Sequence, residues 1–89
     1  LAPRDPQILL HRGGVRMELK DWDAAVADFT AAIEINRTSA DPYFHRAYAY
    51  EEKQEWEKAL ADYDRAHELD PRNPEALVNR GIVKETLEQ

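Results

Sequence analysis

Two tryptophans, Trp22 and Trp56, stand 34 residues apart, and the same offset recurs along the whole chain. It relates Ala25 to Ala59, Asp28 to Asp62, Phe29 to Tyr63, Ala32 to Ala66, Glu34 to Glu68 and Ile35 to Leu69. It also relates three successive segments, His11-Arg12-Gly13, His45-Arg46-Ala47 and Asn79-Arg80-Gly81. Leu1-Ala2-Pro3-Arg4-Asp5-Pro6 returns two periods later as Leu69-Asp70-Pro71-Arg72-Asn73-Pro74. A fixed period of this size marks stacked supersecondary units, each of which buries its apolar face against its neighbours.

Punctuation within the period is that of two helices. Asp5, Ser39 and Asn73 are spaced by the period, and each is a residue type whose side chain can accept from exposed first-turn amides. Pro6 and Pro74 follow directly, at the one helical position where a missing N–H costs nothing, and Pro42 falls within a first turn. The A helices are therefore predicted at Pro6–Leu19, Ala40–Lys53 and Pro74–Leu87, and the B helices at Trp22–Asn36 and Trp56–Asp70. Turns are predicted around Lys20-Asp21 and Gln54-Glu55, and Pro71 should stop the second B helix. Apolar residues follow helical spacing, with Trp22, Ala25, Val26, Phe29, Ala32 and Ile33 matched by Trp56, Ala59, Leu60, Tyr63 and Ala66. Small residues alternating with rings suit close helix crossings.

Composition narrows the class further. At 89 residues the chain is one domain at most. Without cysteine it has neither a disulfide nor a thiolate metal site to staple it. Apolar runs extend only a few residues, far short of the roughly 20 needed to span a bilayer, and Leu1 to Arg12 does not read as a signal peptide. A soluble, cytoplasmic protein is expected. Twelve basic residues scattered among eighteen acidic ones, net −6, argue against a nucleic-acid or anionic-membrane partner, since phosphate neutralisation needs a basic face.

The pattern resembles the tetratricopeptide repeat family, whose unit is 34 residues. Counting from Pro6, Ala40 and Pro74, the family's large apolar fourth position is Leu9, Tyr43 and Leu77, and its small eighth position is Gly13, Ala47 and Gly81. Its alanines are Ala25 with Ala32 and Ala59 with Ala66, flanking Phe29 or Tyr63. The chain departs at the seventh position, where the family commonly has leucine and this chain has Arg12, Arg46 and Arg80. The resemblance implies an all-α fold, an α-solenoid of antiparallel helix pairs with five helices in a right-handed superhelix. Residues 1–5 would end a preceding repeat and supply an N-cap, 6–39 and 40–73 would be two full repeats, and 74–89 a half repeat holding helix A only.

Arg12 and Arg46 each precede an aspartate, Asp28 or Asp62, by sixteen residues. That spacing predicts bidentate pairs bridging helices A and B, with further reach to the previous unit's aspartate. The alternative is unpaired arginines extended over apolar neighbours to solvent.

By resemblance the A helices line a concave groove that binds a partner protein or peptide. The groove positions are Gln7, Leu10, His11, Gly14, Met17 and Glu18 in the first unit, and Asp41, Phe44, His45, Tyr48, Glu51 and Glu52 in the second. In the third they are Glu75, Val78, Asn79, Ile82, Glu85 and Thr86. They read as an apolar strip of Leu10, Phe44, Tyr48, Val78 and Ile82 bordered by Glu51, Glu52 and Glu85, which favours an apolar partner with basic residues. Flanking repeats covering the strip would be the alternative. Family members that clamp the acidic tail of heat-shock chaperones do so with lysine, arginine and asparagine. The matching positions here are Leu10, Gly14, His45, Glu75 and Asn79, which do not make such a clamp.

No catalytic, metal or cofactor site is expected. His11 and His45 occupy equivalent sites on successive A helices, but no third ligand is spaced to complete a tetrahedron. Gly13-Gly14 lies inside a helix, where small size serves packing, and no nucleophile stands beside a base. The third A helix lacks its B helix, so Ala76, Val83 and Leu87 are expected to want a partner. This suggests excision from a longer protein. It also supplies the alternative function, self-assembly into a homo-oligomer or docking through open repeat ends.

Overall fold

The computed structural model describes residues 4–89. It contains five helices: α1 (Pro6–Glu18), α2 (Trp22–Ile35), α3 (Ala40–Glu52), α4 (Trp56–Leu69) and α5 (Pro74–Leu87). All five begin at the predicted residue, and the first four end one residue early. Leu1 to Pro3, read from the sequence as the end of a preceding unit, lie outside the described residues.

Side-chain caps fix the starts of α1, α2 and α5. Asp5 and Asn73 each accept a hydrogen bond from the backbone N–H two residues on, at Gln7 and Glu75, ahead of a proline at the first helical position. Ser39 occupies the same register but makes no capping bond. There the chain is held instead by Asn36, whose Oδ1 accepts from the N–H and the hydroxyl of Thr38. One period later Asp70 accepts from the N–H of Arg72, so both B-to-A connections are side-chain-stabilised turns.

The A-to-B turns show a feature that the residue types conceal. Lys20 and Gln54 adopt φ of 61° and 63°, a left-handed conformation that usually selects glycine. Asp21 N–H donates to the carbonyl of Arg16 and Lys20 N–H to that of Met17, and Glu55 and Gln54 repeat both bonds. This is the Schellman closure of a helix C-terminus. Two otherwise orphaned carbonyls are satisfied at each turn, offsetting the strain.

Consecutive helices pack as neighbours, and α1 also touches α3 directly. The result is a short α-solenoid measuring 44 × 26 × 17 Å. Within the first pair Gly13 meets the ring of Phe29 so closely that an added Cβ would lie 2.6 Å from a ring carbon. In the second pair Ala47 and the fully buried Tyr63 share one cluster with Ala59 and Val83. A second cluster joins Ile33, Tyr43, Ala66 and Ala76, and Phe44 packs against both.

Those clusters correct one expectation. Ala76 and Val83 do not wait for an absent helix, because both are buried against the preceding pair. The open side of α5 is carried by other residues. Leu77 is 48% exposed, whereas its period-mates Leu9 and Tyr43 are 2% and 8% exposed. Gly81 has nothing near the place where a Cβ would be, and Leu87 is exposed. Trp56 is only partly buried, at the edge of one cluster.

The arginines form the predicted ladder. Arg12 Nε and Nη2 donate to the two oxygens of buried Asp28 at 3.0 and 2.7 Å, and Arg16 adds a third bond at 3.0 Å. Arg46 grips Asp62 in the same two-pronged way at 2.6 and 2.8 Å. Its remaining Nη1 reaches back to Thr30 Oγ1 at 3.1 Å, so one guanidinium ties α2, α3 and α4 together. Arg80 likewise reaches back to Asp64, the period-mate of Thr30. The backward partner is therefore the Thr30/Asp64 position, not the Asp28/Asp62 position anticipated. Asp28 hydrogen bonding raises the Arg12 pKa, and Asp62 raises that of Arg46, against the opposing effect of burial.

Two stability measurements follow from this packing. Urea denaturation should show Gly13→Ala destabilising by about 1–2 kcal/mol, because the clash with a buried ring outweighs alanine's helix preference. Gly14→Ala, with open space at its Cβ, should instead gain up to about 1 kcal/mol. Equal effects at the two glycines would refute the close Gly13–Phe29 approach. Asp62→Ala and Arg46→Ala should each cost about 2–4 kcal/mol, moderated by the residual solvent access of Arg46. The double variant should cost little more than either alone, and simple additivity would mean that the pair contributes nothing.

Candidate functional site

Because α1 and α3 touch, groove positions of two successive A helices share one face. Gly14, Met17 and Glu18 of α1 and His45 and Tyr48 of α3 line a common cavity of about 390 Å³, together with Lys20 and Trp22. Lys20 sits at the left-handed turn position and Trp22 opens α2, so both project from the A-to-B corner onto this face. Neither was legible as a site residue. Helical spacing alone assigns Trp22 to the A–B core, and only the turn geometry swings it to the cavity wall.

The other groove positions are distributed unevenly. Leu10 lines a smaller cavity of about 80 Å³ with Gln7, Asn36 and Pro42 among its walls, and His11 is exposed. Phe44, expected at the strip's centre, is half-buried in the core, with its ring edge-on to His45 at 5.7 Å and to Tyr63 at 5.8 Å. His45 lies between two rings, stacked on Phe29 at 5.6 Å. Glu51 accepts a hydrogen bond from the Tyr63 hydroxyl at 2.7 Å, and Asn79 stands beside the same hydroxyl. Tyr48 and Glu52 are exposed neighbours. Val78 and Ile82 are 60% and 52% exposed on α5, with Glu85 beyond them. Thr86 returns its hydroxyl to the Ile82 carbonyl.

A family model for the TPR repeat matches residues 13–54 and 52–87. The chain belongs to the tetratricopeptide repeat (TPR) family. Solved structures agree. The first TPR of Spaghetti (RPAP3), bound to the HSP90 peptide SRMEEVD, is 30% identical with a TM-score of 0.95, over 98% of this chain and 69% of that one. The first TPR domain of human RPAP3 is 30% identical with a TM-score of 0.92, over 97% and 68% of the two chains. The Arabidopsis OM64 TPR domain is also 30% identical, with a TM-score of 0.89 over 92% and 68%. No curated protein sequence matches the chain at a significant level.

Electrostatically, the A-helix face of this TPR chain is acidic and partly desolvated. Among the described residues no three His, Cys, Asp or Glu side chains are grouped to hold a metal ion. Burial lowers the His45 pKa, against the opposing pull of Asp41 and Glu75. Glu52, with some burial, raises that of Tyr48. Burial and the bond to Glu51 drive the Tyr63 phenol far above its ordinary range, which keeps it a donor at any physiological pH.

His45 gives the TPR fold a pH dependence of defined sign. Its folded pKa lies below the unfolded value of about 6.5, so the unfolded state takes up the proton first as pH falls. Stability from this group is complete above that value and declines between it and the lower folded pKa. A proton NMR titration should place the His45 midpoint below about 6.5. A midpoint at or above that value would contradict the buried, ring-stacked environment.

Proposed function

We propose that this chain is a protein-interaction module, not an enzyme, that holds an extended apolar and basic segment of a partner protein along its A-helix face. The observation that carries the reading is the cavity between α1 and α3, walled by Met17, Trp22 and Tyr48; Val78 and Ile82, groove positions of the next A helix by register, are exposed on α5. Apolar strips with polar rims favour peptide contact. Glu18 lines this one, Glu52 lies beside Tyr48 and Glu85 is exposed on α5, within a chain of net charge −6. The first TPR of Spaghetti was solved with a peptide ending in acidic residues. Here Asp41, Glu52, Glu75 and Glu85 are exposed on the corresponding helices, and like charges across an interface are costly. The charge preference of this groove is therefore reversed.

Isothermal titration with an amidated decapeptide alternating leucine and lysine tests the reading. Binding should weaken at high salt, because the rim charges are exposed, and Tyr48→Ala combined with Ile82→Asp should reduce affinity tenfold or more. Phe44→Ala is a poor probe because that ring supports the core. An acidic decapeptide of the same leucine spacing that binds equally well would overturn the proposal.

A second reading has one specific observation behind it. Ile8 and Val15 are exposed on α1, although their period-mates, Pro42 with Ala49 and Ala76 with Val83, are buried, the last two in clusters with residues of the preceding α4. With Leu77 and Gly81 open on α5, both ends offer faces for assembly with another copy. Sedimentation showing a concentration-dependent dimer with no peptide affinity would favour assembly over groove binding.

A further inference from the structure

We infer that the α1–α3 cavity is an anchor pocket for one lysine or arginine side chain of the bound segment. The inference rests on the groove reading and names what the groove selects. Three features specify the occupant. The floor is open at Gly14, where a Cβ would meet nothing within 4 Å, so a long side chain has room to enter between the helices. The walls supplied by Met17, Trp22 and Tyr48 suit an aliphatic stem, and the two rings can face a cation. The carboxylate of Glu18 lines the cavity, and that of Glu52 lies beside the Tyr48 hydroxyl.

Among the described residues the ion pairs involve neither Glu18 nor Glu52. The ladder aspartates, by contrast, are saturated by arginines. The cavity thus has two carboxylates outside any ion pair, Glu18 and the Glu52 that hydrogen-bonds with Tyr48, against one lining cation, Lys20, which is itself exposed at the corner. His45 adds no positive charge near neutral pH, since burial favours its neutral form. An acidic side chain would meet both carboxylates. A purely aliphatic one would fill the walls but leave the carboxylates unused. A long basic side chain satisfies stem and head together.

Four acetylated, amidated decapeptides differing only at a central residue, lysine, arginine, norleucine or glutamate, within a fixed serine–leucine frame, test the pocket by titration calorimetry. Wild type should bind the lysine and arginine peptides at least tenfold more tightly than the norleucine peptide, and the glutamate peptide most weakly. Gly14→Leu, which fills the pocket from a site with open space, should abolish that preference while melting no lower than wild type. Glu18→Gln, at an exposed position, should weaken the basic peptides several-fold and leave norleucine unchanged; it decides the matter alone if Gly14→Leu fails to fold. Equal binding of lysine and norleucine peptides, or full affinity in both variants, would overturn the pocket and leave the groove standing. No binding of any peptide to wild type would overturn both.

Discussion

Each helix pair is built on one close approach, in which a ring from helix B presses against a position of helix A that carries almost no side chain. In the first pair the ring is Phe29 and the position is Gly13, where even a methyl group would collide. In the second, Tyr63 packs in one cluster with Ala47. The ring brings a large apolar surface to the crossing, and the small residue lets the two backbones come near enough to bury it. The rest depends on that distance. It lets the arginines of α1 and α3 reach the aspartates of the following helix. It also leaves α1 and α3 free to meet each other on their remaining face.

The guanidinium ladder then converts stacked pairs into a continuous array. Asp28 and Asp62 are buried carboxylates, which are tolerated only when paired and hydrogen-bonded. Each receives two parallel bonds from the arginine of its own unit. Arg46 uses its spare donor to hold the preceding unit through Thr30, and Arg80 does so through Asp64. Arginine suits this role because its donors form a rigid planar fork with sides left over. A position commonly filled by an apolar residue in the family thus carries a polar clasp between repeats.

Packing also sorts the groove residues into two kinds. His45, Phe44 and Glu51 point toward the A-helix face by register, yet each is engaged with the core, through ring stacking or through the hydroxyl of Tyr63. They shape and stiffen the surface. Met17, Glu18, Tyr48, Val78 and Ile82 keep exposure and can meet a partner. The desolvation that lowers the His45 pKa is a consequence of the same ring sandwich.

The sequence by itself determined the period, the five helix starts, the small-against-ring pairing and the forward arginine–aspartate partners. All of these depend on residues at fixed chain separations, where helix geometry translates spacing directly into position. Only the tertiary structure decided that Ala76 and Val83 are buried while Leu77 is not, since burial depends on which neighbouring helix occupies each face. It decided that Lys20 and Gln54 take a glycine-like backbone, because the closing hydrogen bonds and not the residue type hold them there. It also brought Trp22 and Lys20 to the cavity wall and drew Phe44 into the core. Register shows the direction in which a side chain leaves its helix. Whether it ends in solvent, a cavity or the core depends on how closely the next helix approaches.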